Sequence, residues 1–332
     1  DPLWRNLILI GIALLWAEAW LELNLELQRV KLRPVRYGLM LGIKSAIALS
    51  LGTALVIHGL GPYGPLFGLV VGCVLATLFV GRGEWHTIKL AVDRKLLKEL
   101  LKFGLPLTGT FALGFIVSSS DRFIIAWLLG ESAAGKYAAI YDLAQQPLIL
   151  LMMTINLAGY PLAIRILEEK GKEEAQKILV HNAILLVGIG LPASLGMVAL
   201  APNVSETLLG MKFRTGAAPV LAWVAASIFF NGLRVYYFDL AFQLGRHTVG
   251  QIWVAGSAAL LNLILNFWWI PIWGIIGAAY ATFAAYLLAL ILSIILGRRV
   301  FCIPIPWRDW LKIAVACIPM VLVVSMIAKS HG

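Results

Sequence analysis

Three basic residues, Lys44, Arg122 and Arg234, fall inside long apolar runs of the chain. An ionisable group at bilayer depth costs roughly 2.5–3.5 kcal/mol on insertion scales, so each must face a cavity or a partner. A guanidinium gives a planar two-bond contact to phosphate or carboxylate, whereas an ammonium is a point charge. Acidic residues lie near all three. Arg122 follows Asp121 and, about an outside turn near Ser132, lies opposite Asp142. Lys44 lies opposite Glu18 about a turn near Leu32, and Glu18, Glu22 and Glu26 form one stripe at four-residue spacing. Arg234 and Asp239 are five residues apart, about 140° around an α-helix, which predicts that they do not neutralise each other. Asn231, Tyr236 and Tyr237 sit beside them. Two readings stand for this set. In one, Arg122, Arg234 and Lys44, with Asp121, Asp142, Asp239, Tyr236, Tyr237 and Asn231, line a polar cavity, and Glu18 and Glu22 take part in proton or cation coupling. In the other, Arg122–Asp142 and Lys44–Glu18 are plain interhelical pairs, and the Tyr and Asn residues belong to a packed helix interface.

Other chemistries fit less well. The five histidines, His58, His86, His181, His247 and His331, are too dispersed for a metal site, and Cys73, Cys302 and Cys317 have no ligand or disulfide spacing. Gly130 to Lys136 has the spacing of a phosphate-binding loop, but Tyr137 stands where a magnesium-binding Ser or Thr is needed and no strand precedes it. No nucleophile-elbow or zinc-protease spacing is present. The sequence therefore predicts no enzyme, no cofactor and no metal.

The elements that carry these residues are helices in a membrane. The chain is 61% hydrophobic and 13% charged over 332 residues, with a mean hydropathy of +0.88, against about 25% charged in a soluble domain. Long apolar runs predict ten spans, near 3–27, 37–59, 63–81, 103–129, 136–164, 177–201, 217–243, 248–270, 273–297 and 309–328. Loops on alternate sides hold 19 and 5 of the 27 basic residues, which sets the basic loops in the cytoplasm and the first residue outside. The net charge of +10 is thereby accounted for by topology, and no nucleic-acid partner is expected. Ile88, Val92, Leu96, Leu97, Leu100 and Leu101, interleaved with Lys and Arg, predict an amphipathic linker on the inner leaflet. Pro106, Pro147 and Pro192 fall inside spans, where each removes a helix hydrogen bond and offers a hinge.

Two hairpins look alike, one turning at Pro62–Gly68 and the other at Pro271–Gly277. Both run from inside to outside and back, so the repeat is parallel about an axis along the membrane normal. The second copy follows three further spans and the first follows none, so three helices are expected to precede Asp1 in a complete repeat. The boundaries that result are a partial first lobe at 1–81, the cytoplasmic linker at 82–102, a six-helix lobe at 103–297 and an extra helix at 298–332.

Leu101 to Pro106, Ser118 to Phe123, Leu129-Gly130, Gly135 to Tyr137 and Tyr141 to Ala144 resemble the seventh and eighth helices of polysaccharide-biosynthesis membrane proteins of the O-antigen flippase type. Leu261 to Asn266, Ile270-Pro271 and Gly274 to Ala279 resemble that family's eleventh and twelfth helices. The resemblance implies an all-α polytopic membrane protein with the MATE-like two-lobe bundle of the multidrug, oligosaccharidyl-lipid and polysaccharide exporter superfamily. About ten helices are present here, and the first lobe lacks its first three. It further implies a flippase in the bacterial inner membrane that moves a lipopolysaccharide or other polysaccharide repeat unit on a carrier of the undecaprenyl diphosphate type by alternating access. Its partners would be that lipid-linked oligosaccharide, membrane lipids and polysaccharide polymerase machinery, with Arg122, Arg234 and Lys44 meeting the diphosphate. The alternatives are a cation-coupled multidrug exporter of the same fold and a truncated remnant that transports nothing.

Overall fold

The computed structural model describes residues 2–61, 63–85 and 93–330. Among them every regular element is helical, and nine helices are long and apolar enough to cross a membrane. The chain divides into two compact units, one within residues 1–92 and one from Asp93 onward. Ile88 and Val92 of the predicted linker lie outside the described residues.

The first unit contains α1 (Pro2–Val30), α2 (Pro34–Leu55) and α3 (Tyr63–Trp85). The chain reverses after α1 through Leu32, and Pro34 opens α2, a position where its missing N–H is no loss. Ala17, Leu21, Leu25, Met40, Cys73 and Ala76 form the core of the unit. The buried Asn24 amide donates to the Trp20 carbonyl at 2.8 Å and accepts from the Trp85 indole at 2.9 Å, so it is satisfied without water.

The second unit runs from α4 (Arg94–Leu129) through α5 (Glu131–Lys170), α6 (Lys172–Ala199), α7 (Ala201–Leu208), α8 (Met211–Arg214) and α9 (Ala217–Leu233). A π-helical turn (Arg234–Phe238) follows, then α10 (Leu240–Leu244), α11 (Val249–Trp273), α12 (Ile275–Val300) and α13 (Trp307–Ser330). Asp93 caps α4, its carboxylate accepting from the amides of Lys95 and Leu96 at 2.8 and 3.3 Å. From there α4 runs unbroken into the membrane, so Leu96 to Leu101 begin a spanning helix and do not form a separate element. The expected outside loop at 130–135 is one residue, Gly130. The tenth predicted span falls on α13, which among the described residues is not one of the nine helices long and apolar enough to cross a membrane; it packs on α6 through Ile313 against Gly188 and a 3.3 Å bond from the Trp310 indole to the Ala183 carbonyl.

The two similar hairpins differ at their turns. The first leaves α2 through a π-helical segment, Val56–Leu60, and the second turns on Gly274 alone. They share backbone contact within the hairpin. A Cβ on Gly68 would meet the Ala48 carbonyl oxygen at 2.7 Å, and one on Gly277 the Trp269 carbonyl oxygen at 2.4 Å, so only glycine permits the approach. Phe123 and Trp127 are each 74% exposed, as apolar side chains are when their solvent is lipid.

Candidate functional site

The second unit holds a partly open cavity of about 210 Å³ among α4, α5, the α9–π–α10 segment, α11 and α12. Its polar lining comes chiefly from amides, Gln145, Asn231, Gln243 and Gln251, with Thr110, Ser118 and Tyr286 adding hydroxyls. Leu107, Val117, Ala255 and Ala258 supply apolar wall. Its charged groups are Arg234 and Asp239, which are 7% and 3% exposed.

These two residues overturn the expectation that five-residue spacing keeps them apart. Arg234 Nε stands 3.6 Å from Asp239 Oδ2, an ion pair. The reason is local. Asp239 N donates to the Arg234 carbonyl at 2.8 Å, an i to i+5 bond that winds the backbone as a π-turn and brings both side chains to one face. At 3.6 Å the contact is coulombic and not a hydrogen bond. Asp239 Oδ1 takes its hydrogen bond from Ser293 Oγ at 2.6 Å. Arg234 Nε, Asn231 Oδ1 and Gln251 Oε1 are buried with no hydrogen-bond partner among the described residues.

The neighbouring tyrosines go elsewhere. The Tyr237 hydroxyl donates to the Pro304 carbonyl, and its ring packs on Phe238 and Trp310. Tyr236 is half-buried, and its carbonyl accepts from the Asn156 amide at 3.2 Å. Neither lines the cavity.

Asp121 is wholly buried beside the cavity. It accepts from Tyr137 Oη at 2.8 Å, Thr282 Oγ1 at 2.6 Å and Asn266 Nδ2 at 2.6 Å. Asn262 extends the network, accepting from Asn266 Nδ2 at 3.0 Å and from Ser120 Oγ at 3.1 Å. All of these partners are neutral. The network ties α4, α5, α11 and α12 together, and Asn262 and Asn266 reach it because four-residue spacing puts them on one helix face.

Arg122 lies one turn beyond Ser118 on α4. It holds Asp142 at 2.5 Å across the α4–α5 hairpin, and its guanidinium stands 5.7 Å from the Tyr141 ring centroid. Their side chains remain 35% and 47% exposed, so the pair faces an accessible side. The Tyr141 hydroxyl lies 3.3 Å from that of Tyr286, which lines the cavity. Within the first unit, Lys44 Nζ donates to Glu18 at 3.3 Å, Glu26 holds Arg29 at 3.2 Å and Glu22 is exposed. Among the described residues no cluster of three or more His, Cys, Asp or Glu side chains could hold a metal ion.

Long apolar helices, a lipid-facing apolar surface and a polar chamber buried within one unit define a multi-pass membrane protein with an internal site. Residues 29–218, more than half of the chain, match the family described as polysaccharide biosynthesis protein, and the chain belongs to that family. The lipopolysaccharide biosynthesis protein WzxC of Escherichia coli is 25% identical over 209 residues, 54% of this chain and 41% of that protein. An uncharacterized membrane protein of Methanocaldococcus jannaschii, MJ1068, is 24% identical over 212 residues, 62% and 40% of the two. The match therefore spans well under two thirds of either relative. The lipid II flippase MurJ in an inward closed conformation superposes with a TM-score of 0.66 at 16% identity, covering 97% of this chain and 68% of that one. A MATE structure in complex with MaL6 gives 0.76 at 14% identity, covering 87% and 68%. The fold is that of the MATE and MurJ transporters.

Proposed function

We propose that this chain works as a flippase that carries a lipid-linked oligosaccharide, a polysaccharide repeat unit on a diphosphate carrier, across the bacterial inner membrane by alternating access. The observation that carries the reading is the Arg122–Asp142 pair. It is a cation within the α4 span, partly exposed, with an acidic partner that a phosphate group can replace. An enzyme is not proposed, because the family is that of polysaccharide-biosynthesis membrane proteins and the fold is that of transporters.

In this reading Arg122 meets the diphosphate, and the chamber around Arg234 receives part of the sugar. Lys44 and Glu18 form a second exchangeable pair, and Glu22 beside them is proposed to join in coupling. Asp121, an acid held by neutral groups alone, is another place where a proton can be taken up. A multidrug exporter of the same fold is disfavoured, since cationic drugs call for acidic walls and the chamber pairs its one acid with Arg234.

The test is export. Full-length protein placed in cells lacking their own flippase restores surface polysaccharide, and Arg122→Ala abolishes it while membrane protein level stays unchanged. Arg122→Lys restores only part, because a point charge lacks the planar contact. Wild-type export from Arg122→Ala removes Arg122 from the substrate path.

A further inference from the structure

The chamber in the second unit has a chemistry of its own. Its formal charge is zero, since Arg234 is balanced by Asp239, and a diphosphate entering it would meet the Asp239 carboxylate. Gln145, Asn231, Gln243 and Gln251 make the lining mainly amide, and an amide offers a donor and an acceptor side by side. The ligand complementary to such a wall is itself an amide among hydroxyls.

Three buried atoms sharpen this. Gln251 Oε1 and Asn231 Oδ1 are acceptors without donors, and Arg234 Nε is a donor without an acceptor among the described residues. Leaving a buried polar group unpaired costs about 1–3 kcal/mol; all three atoms are covered by neighbouring protein atoms, so a ligand that brings two donors and one acceptor satisfies them once these side chains turn toward the chamber. Asp239 is anchored by Ser293, which leaves the Arg234 N–H oriented by charge yet unspent. The volume of about 210 Å³ lies below the roughly 300–1,000 Å³ of pockets for drug-sized ligands, room for a single ring. The apolar wall at Leu107, Val117 and Ala255 suits a methyl group.

We propose that this chamber seats one N-acetylated sugar ring of the transported oligosaccharide. Arg234 N–H donates to the acetamido carbonyl, Gln251 accepts from the acetamido N–H, Asn231 accepts from a ring hydroxyl, and the acetyl methyl rests on the apolar wall. The proposal rests on the flippase reading and adds to it a sugar class.

The experiment uses full-length protein in phospholipid nanodiscs, free of sugar detergent, with N-acetylglucosamine and glucose as probes in saturation-transfer NMR. N-acetylglucosamine binds about ten- to thirty-fold tighter than glucose, the worth of two ordinary hydrogen bonds, with the strongest transfer to its acetyl methyl. Gln251→Leu removes one of the two bonds, lowers the preference for N-acetylglucosamine to about three- to six-fold and leaves glucose binding unchanged. Asn231→Leu, on a different helix, weakens both sugars about tenfold and serves if Gln251→Leu does not accumulate. Equal affinity for the two sugars overturns the proposal, as does an acetamido preference that Gln251→Leu leaves undiminished, or pyrophosphate displacing N-acetylglucosamine from the chamber. Export by the wild type is scored separately. Export without a sugar preference overturns this proposal and leaves the flippase reading in place, whereas a sugar preference without export supports the chamber and removes the flippase reading.

Discussion

Asp121 and Asp239 are both buried carboxylates in the same unit, and they are held by opposite means. Asp239 has a cation, Arg234, at 3.6 Å, and one hydroxyl from Ser293. Asp121 accepts from Tyr137, Thr282 and Asn266, none of them charged. The first arrangement makes an electrically neutral chamber with unspent hydrogen-bonding groups. The second makes a bolt across four helices in which Asp121 takes three hydrogen bonds, with Asn266 Oδ1 left without a partner among the described residues. Burial of an acid therefore means a binding site in one place and a cross-brace in the other, and the partners distinguish them.

The largest effect is expected from splitting the charged pair. Asp239→Ala strands Arg234 in a buried site and costs about 3–5 kcal/mol, whereas replacing both as Arg234→Met with Asp239→Leu returns most of that stability. Thermal unfolding of purified protein reads both. Recovery in the double variant shows that the pair serves substrate and not folding, and that variant should still fail to export.

Asp121→Ala is expected to cost less, about 1–3 kcal/mol, because Tyr137, Thr282 and Asn266 can re-pair with Asn262 and with one another. Asp121→Asn keeps an acceptor oxygen and should unfold within about 1 kcal/mol of the wild type. A loss for Asp121→Ala that exceeds the loss for Asp239→Ala would reverse the ranking and mark the neutral network as the stronger constraint.

The smallest stability effect is expected at the exposed pair. Arg122→Met with Asp142→Leu should unfold within about 1 kcal/mol of the wild type, since exposed pairs contribute little. Export then separates the roles. A double variant that still exports leaves Arg122 as a structural residue, while one that folds and fails places it on the substrate.

Sidedness sharpens the contrast further, because the charge asymmetry of the loops puts Asp121 toward the outer end of α4 and Asp239 toward the inner end of the Ala217–Leu244 span. Single cysteines at Lys95 and Lys172, in a background without the native three, should resist an impermeant thiol reagent in intact cells, and one at Lys212 should label. Labelling at the first two inverts the assignment.

Charged residues were the legible part of the site. A Lys or Arg in an apolar run stands out, and hairpin geometry alone sets Arg122 against Asp142 and Lys44 against Glu18, as the structure does. The Arg234–Asp239 pair was hidden because α-helical spacing places the two on different faces, and nothing in the residues 234–238 announces a π-turn. The amides Gln145, Gln243 and Gln251 were hidden for another reason. A neutral polar side chain barely perturbs the hydropathy of a span, and only the fold reveals that α5, α10 and α11 turn theirs inward together. Asn262 and Asn266 did leave a signal, two amides at four-residue spacing in an otherwise apolar helix, beside Thr282 on the next. Nine of the ten predicted spans were legible to within a few residues, except where α4 and α5 run on as continuous helices of 36 and 40 residues; the tenth falls on α13, which among the described residues is not one of those nine.

The central claim is movement of a lipid-linked oligosaccharide between leaflets, and proteoliposomes test it most directly. Full-length protein is reconstituted with an undecaprenyl diphosphate-linked N-acetylated oligosaccharide, and the sugar facing outward is read with an impermeant glycosidase. The account predicts that substrate protected in empty liposomes becomes accessible with the wild type and stays protected with Arg122→Ala. Equal protection in wild-type and empty liposomes, with the protein folded and inserted, would contradict it.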